Sequence, residues 1–138
     1  MPARSALHPL AAVRVVARPE ALDRARWPER TVTLRTAPDE ALVIAIAQGA
    51  LTLTLPHDAV ADEHAIIEAD TSWRGAWVPT TAALESIEHH ADWEAPRVRP
   101  TLAQGLMAGI PVKVWLGHDE SLLVVPASVA TEFEERVR

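Results

Sequence analysis

The C-terminal third of the chain constrains the fold most, because its side-chain pattern changes from strand to turn to strand within a short span. The pattern predicts strands at residues 102–108 and 110–116, joined by a tight turn. The polar residues 117–120 predict a second turn, after which residues 121–125 pair back. Gly105 interrupts the first strand, which indicates a β-bulge or a close approach of another backbone.

A terminal helix is predicted to close this segment. Val129, Phe133 and Val137 fall on one helical face, and Ser128 is placed to cap the first turn. The segment contains no candidate nucleophile, metal-ligand cluster or phosphate-binding loop. A structural segment without chemistry of its own favours a scaffold or a subunit over a self-sufficient enzyme.

The first half of the chain predicts several further strands. Residues 31–36, 41–47 and 51–55 are joined by short turns, which is typical of an antiparallel meander. Residues 41–47 are apolar on both faces and therefore predict the central strand. Two more strands are predicted at residues 64–69 and 73–78.

The clearest helix is predicted at residues 80–92. Thr80 or Thr81 can accept hydrogen bonds from the free N–H groups of its first turn. Apolar residues at spacings of three and four predict a stripe that faces the core. The stripe is made of Leu84, Ile87 and Ala91.

The order of strands, helix, strands and helix predicts an α+β fold, in which a mostly antiparallel sheet carries two helices on one face. The 138 residues, of which 49% are apolar and 23% charged, predict a single globular domain over residues 1–138. Within it, we expect residues 1–30 to form an N-terminal arm or strand and residues 31–138 to form the α+β core.

Charge and composition exclude several functional classes. The net charge of -6 argues against nucleic-acid binding, which requires a basic face, and against adhesion to anionic membranes. The absence of cysteine excludes disulfides, thiolate catalysis and zinc fingers. Pro9, Arg14 and Arg18 interrupt the N-terminal apolar run, so no signal peptide is predicted, and no apolar run is long enough to span a bilayer. We therefore expect a cytoplasmic protein.

Two polar clusters have residue types suited to chemistry. The first cluster lies on the predicted helix and consists of Glu88, His89, His90 and Asp92. Neighbouring histidines on a helix point about 100° apart, so a solvated helix face is favoured over a metal site. Glu68 and Asp70 lie on one side of a predicted strand, where paired carboxylates suit general acid–base catalysis if one of them is buried. The favoured alternative is that both are exposed at the strand end.

Three tryptophans and a lysine form a candidate protein interface. Trp73 and Trp77 are four residues apart on a predicted strand and therefore share a face. The same alternation places Trp115 on a face with Lys113. Aromatic side chains beside a basic stem suit a protein–protein contact. Alternatively, another part of the same chain covers them, and the sequence leaves both interpretations open.

Four strings carry a resemblance to a known family. They are APDEALVI from Ala37, HAIIEADTSW from His64, AALESIEHHADW from Ala82, and AGIPVKVWL from Ala108 with LLVVPASVATEF from Leu122. Together they resemble the sarcosine oxidase gamma subunit family, which is related to the folate-binding aminomethyltransferase (glycine-cleavage T-protein-like) fold. The resemblance covers about residues 37–138, and the N-terminal half looks shortened.

The resemblance implies an aminomethyltransferase-like domain that is a non-catalytic accessory subunit of an oxidase that demethylates sarcosine to glycine. The implied partners are the other oxidase subunits, which carry FAD, FMN, NAD and tetrahydrofolate, and not nucleic acid or membrane. No cofactor is implied in this chain, and no catalytic, cofactor-binding or metal-binding residue carries over. The alternatives are a stand-alone folate or small-ligand binding protein, with Asp70 and the tryptophans in its pocket, and an enzyme that uses Glu68 and Asp70.

Overall fold

The computed structural model describes residues 7–46, 50 and 52–138. The elements in chain order are β1 (His8–Pro9), β2 (Ala12–Val16), α1 (Pro19–Asp23), β3 (Thr31–Ala37), β4 (Glu40–Ala45), β5 (Ile66–Ala69), β6 (Trp73–Pro79), α2 (Thr80–His90), β7 (Thr101–Met107), β8 (Ile110–Leu116), β9 (Glu120–Pro126), a 3-10 turn (Ala127–Val129) and α3 (Ala130–Arg136).

The chain divides into two compact units. The N-terminal unit is Leu10–Thr71, and the C-terminal unit joins Ser72–Arg138 to residues 7–9. Each unit contains one antiparallel sheet, so the predicted α+β class is confirmed, with the strands divided between two sheets instead of one. Compactness does not test independent folding, so the single domain over residues 1–138 stays a prediction.

The sheet of the N-terminal unit has the strand order β3-β4-β2-β5. Four of the six residues of β4 are buried, and β4 lies between two neighbours, which confirms the central strand predicted from its apolar faces. One face of this sheet packs against α1 and the loop before β5. The buried residues of this core include Val13, Val15, Val43, Leu22 and Val60.

The predicted strand at residues 51–55 is wrong. Residues 52–55 are not in a strand, while Leu51 and Ala47 lie outside the described residues. The place beside β4 is taken by β2, which pairs with it over five residues from Ala12 to Val16. Ala12 on one face of β2 and Val13 and Val15 on the other are all buried, whereas a Leu-Thr alternation offers apolar residues on one face only. Within the predicted N-terminal arm or strand, Ala12–Val16 form β2.

The sheet of the C-terminal unit has the strand order β1-β6-β9-β8-β7. Helices α2 and α3 pack on one face, as predicted for the two helices. Ile87 of α2 and Phe133 of α3 are each 2% exposed. They contact a core that alternates along β8 and continues into β9. Its strand residues include Val112, Val114, Leu116 and Val125.

The sequence predicts a β-bulge or a close backbone approach at Gly105, but the β7–β8 hairpin is regular. Its pairing runs without a shift from Thr101 opposite Leu116 to Met107 opposite Ile110, so the bulge at Gly105 is wrong. The glycine is needed because the Trp93 ring lies over it. A Cβ added at Gly105 would stand 2.5 Å from Trp93 Nε1. The close approach is therefore made by a side chain and not by a backbone.

Both predicted helix caps are wrong. No side chain caps α2, whose N-cap residue is Pro79, and α3 begins at Ala130 after the 3-10 turn with no cap from Ser128. The Thr80 hydroxyl instead lies 2.9 Å from the Gly117 carbonyl oxygen, to which it donates a hydrogen bond. It is directed to the β8–β9 hairpin because Thr80 already occupies the first helical position.

No helix within residues 7–46, 50 and 52–138 is long and apolar enough to cross a membrane. The cytoplasmic location stays a prediction.

Candidate functional site

The four predicted interface residues lie on one face of the C-terminal sheet, opposite to the face that carries the helices. Strand β9 lies between β6 and β8 and pairs with both of them. Trp77 and Trp115 both stand opposite Leu122 in the register. Lys113 stands opposite Val124. Residues opposite each other on neighbouring strands point to the same side of a sheet. We call this set the tryptophan–lysine face; its members are Trp73, Trp77, Lys113 and Trp115.

The side chains of the tryptophan–lysine face contact one another across β9. The rings of Trp77 and Trp115 meet edge to face, with centroids 5.8 Å apart and planes at 76°. Strands two positions apart are separated by about 9–10 Å, so both rings lean towards each other over β9. Lys113 Nζ lies 4.8 Å from the centroid of the Trp73 ring and donates a hydrogen bond of 3.1 Å to Gln104 Oε1.

The geometry of this face suits binding. Edge-to-face indoles and a cation over a ring each contribute about 0.5–1.5 kcal/mol, and they orient the side chains. All four residues are half-buried. Indole rings and a lysine stem supply contact area, a polar N–H and a positive charge, which are the features enriched at protein interfaces.

Sequence reasoning missed Gln104, which fixes the Lys113 ammonium. The signal that could have found it is the two-residue turn between β7 and β8. Ala108 and Gly109 have φ values of 51° and 79°, as this hairpin type requires. Such a turn fixes the register, and counting back from it places Gln104 opposite Lys113.

Of the predicted carboxylate pair, Glu68 takes part in an ion cluster of the N-terminal unit. Arg14 donates hydrogen bonds to Glu40 Oε2 at 3.0 Å and to Glu68 Oε1 at 3.1 Å. These bonds, with that to Glu40 the larger influence, raise the pKa of Arg14. The Asp70 N–H donates to the Ala12 carbonyl oxygen at 2.9 Å and so extends the β2–β5 ladder. The geometry assigns Glu68 to an ion pair with Arg14.

The histidine cluster lies at the exposed C-terminal end of α2. His89 Nε2 is 3.9 Å from Glu85 Oε1, and both side chains are mostly exposed. The rings of His89 and His90 are 6.3 Å apart and tilted by 58°, as expected for neighbours on a helix. Within residues 7–46, 50 and 52–138, no three histidines or carboxylates are grouped to hold a metal ion.

A groove of about 490 Å³ runs beside α2 in the C-terminal unit. Leu84 and Ile87 form its apolar wall, and the segment after the helix forms the other side. Asp70, Trp73 and Trp77, the residues predicted for a ligand pocket, are not among the residues that line it. The groove and the tryptophan–lysine face are therefore separate features.

Comparison with known proteins finds a similarity to a solved structure. No protein-family model matches the sequence, and no curated protein matches it. The structure is similar to a chain of the heterotetrameric sarcosine oxidase from Corynebacterium sp. U-96, solved in complex with pyrrole 2-carboxylate, with a TM-score of 0.66 and 18% identity. The match covers 94% of this chain and 78% of that chain. The two chains share a fold.

Proposed function

We propose that this chain is a non-catalytic accessory subunit, gamma-like in its fold, of a heteromeric oxidase of the sarcosine oxidase type. The observation that carries the proposal is the shared fold, which extends over 94% of this chain and 78% of a chain of the heterotetrameric enzyme. Because most of both chains is matched, the two are of similar size. That similarity supports a small subunit rather than one domain of a large one.

The chemistry of the tryptophan–lysine face supports a binding role. Its indole rings and lysine stem are the residue types that dominate binding energy at protein interfaces. We assign this face to the contact with a larger oxidase subunit, and we assign FAD, FMN, NAD and tetrahydrofolate to the partner subunits. The aminomethyltransferase-like relation of the fold belongs to the same proposal.

Affinity capture from the native host tests the accessory role. A tagged chain should recover a larger protein with flavin absorbance in a fixed stoichiometry. Trp115→Ala should reduce that recovery while the variant still unfolds cooperatively. Trp27→Ala, which removes a tryptophan from the N-terminal unit, serves as the matched control and should leave recovery unchanged. Recovery of the chain alone, with no flavoprotein, would overturn the proposal.

A titration of the isolated chain separates the accessory role from stand-alone ligand binding. Tryptophan fluorescence is recorded while tetrahydrofolate is added to the wild type and to Trp77→Phe. We expect no saturable quenching, because the folate is assigned to a partner subunit. Saturable quenching that Trp77→Phe weakens would replace the accessory role by the binding alternative.

A further inference from the structure

Strand β5 has an open outer edge. It is the last strand in the order β3-β4-β2-β5, and all four of its residues are exposed. Ile66 is 53% and Ile67 43% exposed, which is unusual for large apolar side chains in a sheet. No other strand of residues 7–46, 50 and 52–138 pairs with this edge.

The register decides which backbone groups point outwards from β5. Asp70 donates its N–H to the Ala12 carbonyl oxygen, so Asp70 is bonded towards β2. In an antiparallel ladder every second residue is bonded to a given neighbour. Glu68, which pairs with Arg14, is therefore also bonded towards β2. Ile67 and Ala69 direct their N–H and C=O groups to the outer edge.

The β7 and β3 edges are protected by means that proteins use against strand addition. At the β7 edge, Ala91 forms a bridge with Met107, and Trp93 Nε1 donates a hydrogen bond of 2.9 Å to the Leu106 carbonyl oxygen. At the β3 edge, the pairing with β4 shifts between Leu34 and Ala37, as at a β-bulge. The edge of β5 has no corresponding bulge or bridge in the described part of the chain.

The charge around β5 is negative. The side chain of Glu68 is 57% exposed although it pairs with Arg14, and that of Glu63, just before the strand, is 88% exposed. The chain as a whole has a net charge of -6. An incoming strand with basic side chains is attracted to this edge, whereas a second copy of the chain brings the same acidic groups and is repelled.

We propose that β5 accepts an extended segment of a partner protein as a fifth strand of the N-terminal sheet. The segment alternates apolar and basic residues, because its apolar residues pack on Ile67 and its basic residues lie opposite Glu68 on the other face of the sheet. Its backbone bonds to Ile67 and Ala69. The proposal is independent of the accessory role, since it is tested with the isolated chain.

The probe is a capped peptide of alternating valine and lysine, added to the full-length chain at up to about 1 mM, the range expected for a weak interaction. Amide hydrogen exchange is followed by NMR. Binding should slow exchange at Ile67 and Ala69 and leave Glu68, already bonded to β2, unchanged. A peptide with glutamate in place of lysine is the matched control and should bind at least about tenfold more weakly.

Two variants make the test specific. Ile67→Pro removes an outward N–H without breaking the bonds to β2, which is where sheets tolerate proline, and should weaken binding about tenfold or more. Ile67→Val keeps the backbone donor and should bind like the wild type. No protection at about 1 mM peptide, protection elsewhere in the chain, or protection that depends on protein concentration without peptide would each overturn the proposal.

Discussion

The hydroxyl pair of Thr80 and Ser121 gives the sharpest test of how α2 is fixed to the β8–β9 hairpin. Ser121 is 0% and Thr80 6% exposed, and their hydroxyl oxygens are 2.8 Å apart. A hydroxyl has one proton. Because Thr80 donates its proton to the Gly117 carbonyl oxygen, Ser121 must donate to Thr80. The Thr80 oxygen thus serves as both donor and acceptor.

Thr80→Val keeps the shape of the side chain and removes both hydrogen bonds. It leaves the Ser121 hydroxyl and the Gly117 carbonyl buried without a side-chain partner, and an orphaned buried group costs about 1–3 kcal/mol. We expect the free energy of unfolding to fall by about 2–3 kcal/mol. Ser121→Ala removes only the bond that Ser121 donates, so we expect a loss of about 1 kcal/mol.

Urea unfolding followed by circular dichroism measures these losses. The slope of the free energy of unfolding against urea concentration should be the same in the wild type and the variants. Thr81→Val is the matched control, because Thr81 is exposed, and should change stability by less than about 0.5 kcal/mol. In the double variant the two losses should not add, since both remove the same Thr80–Ser121 bond. The reasoning is refuted if Thr80→Val matches the wild type, or if Ser121→Ala costs more than Thr80→Val.

Three further predictions concern other contacts. Gly105→Ala should displace the Trp93 ring and lower the free energy of unfolding by about 1–3 kcal/mol, measured by urea unfolding; an unchanged midpoint would contradict it. A double-mutant cycle of Trp77→Ala and Trp115→Ala should give a coupling free energy of about 0.5–1.5 kcal/mol. A coupling free energy near zero would show that the contact between the two rings does not stabilise the fold. Backbone N–H groups, above all that of Arg18, lower the pKa of Asp62. The contribution of Asp62 to the free energy of unfolding should therefore be full above the ordinary aspartate pKa and be lost as the pH falls through the lowered pKa. Asp62→Asn should remove this loss of stability at acid pH when unfolding is measured as a function of pH.

The elements that the sequence predicts well are those whose pairing is local. Strand β8 is found at Ile110–Leu116 as predicted, because its alternation is long and its partner β7 follows a two-residue turn. The shared face of Trp73 and Trp77 follows from period two alone and needs no knowledge of the neighbouring strands. The sharing of a face within each strand could thus be reached from the sequence, whereas the placement of both pairs on one face and their contacts across β9 depend on the β6–β9 pairing.

Two of the failed strand predictions have different causes, one a competition between distant segments and the other a local turn. β2 and residues 51–55 both had an apolar pattern suited to the position beside β4, and the sequence near β4 does not decide between them. The start of β5 was placed at His64, whose N–H donates to Asp62 Oδ1 at 2.9 Å. The Ala65 N–H likewise donates to the Asp62 carbonyl oxygen. Because these bonds to Asp62 hold residues 64 and 65 in a turn, the strand begins only at Ile66.

Edge protection explains why the partner of β5 has to supply a charge. A four-residue strand with Glu68 in it is short and acidic, and both properties oppose pairing with an arbitrary strand. Lysine or arginine opposite Glu68 converts the opposing charge into an attraction, while the backbone groups of Ile67 and Ala69 supply bonds to any sequence. Selectivity at this edge therefore comes from charge and affinity from the backbone. Glu68→Gln should reduce the preference for the lysine peptide over the glutamate peptide, whereas Ile67→Pro should weaken both.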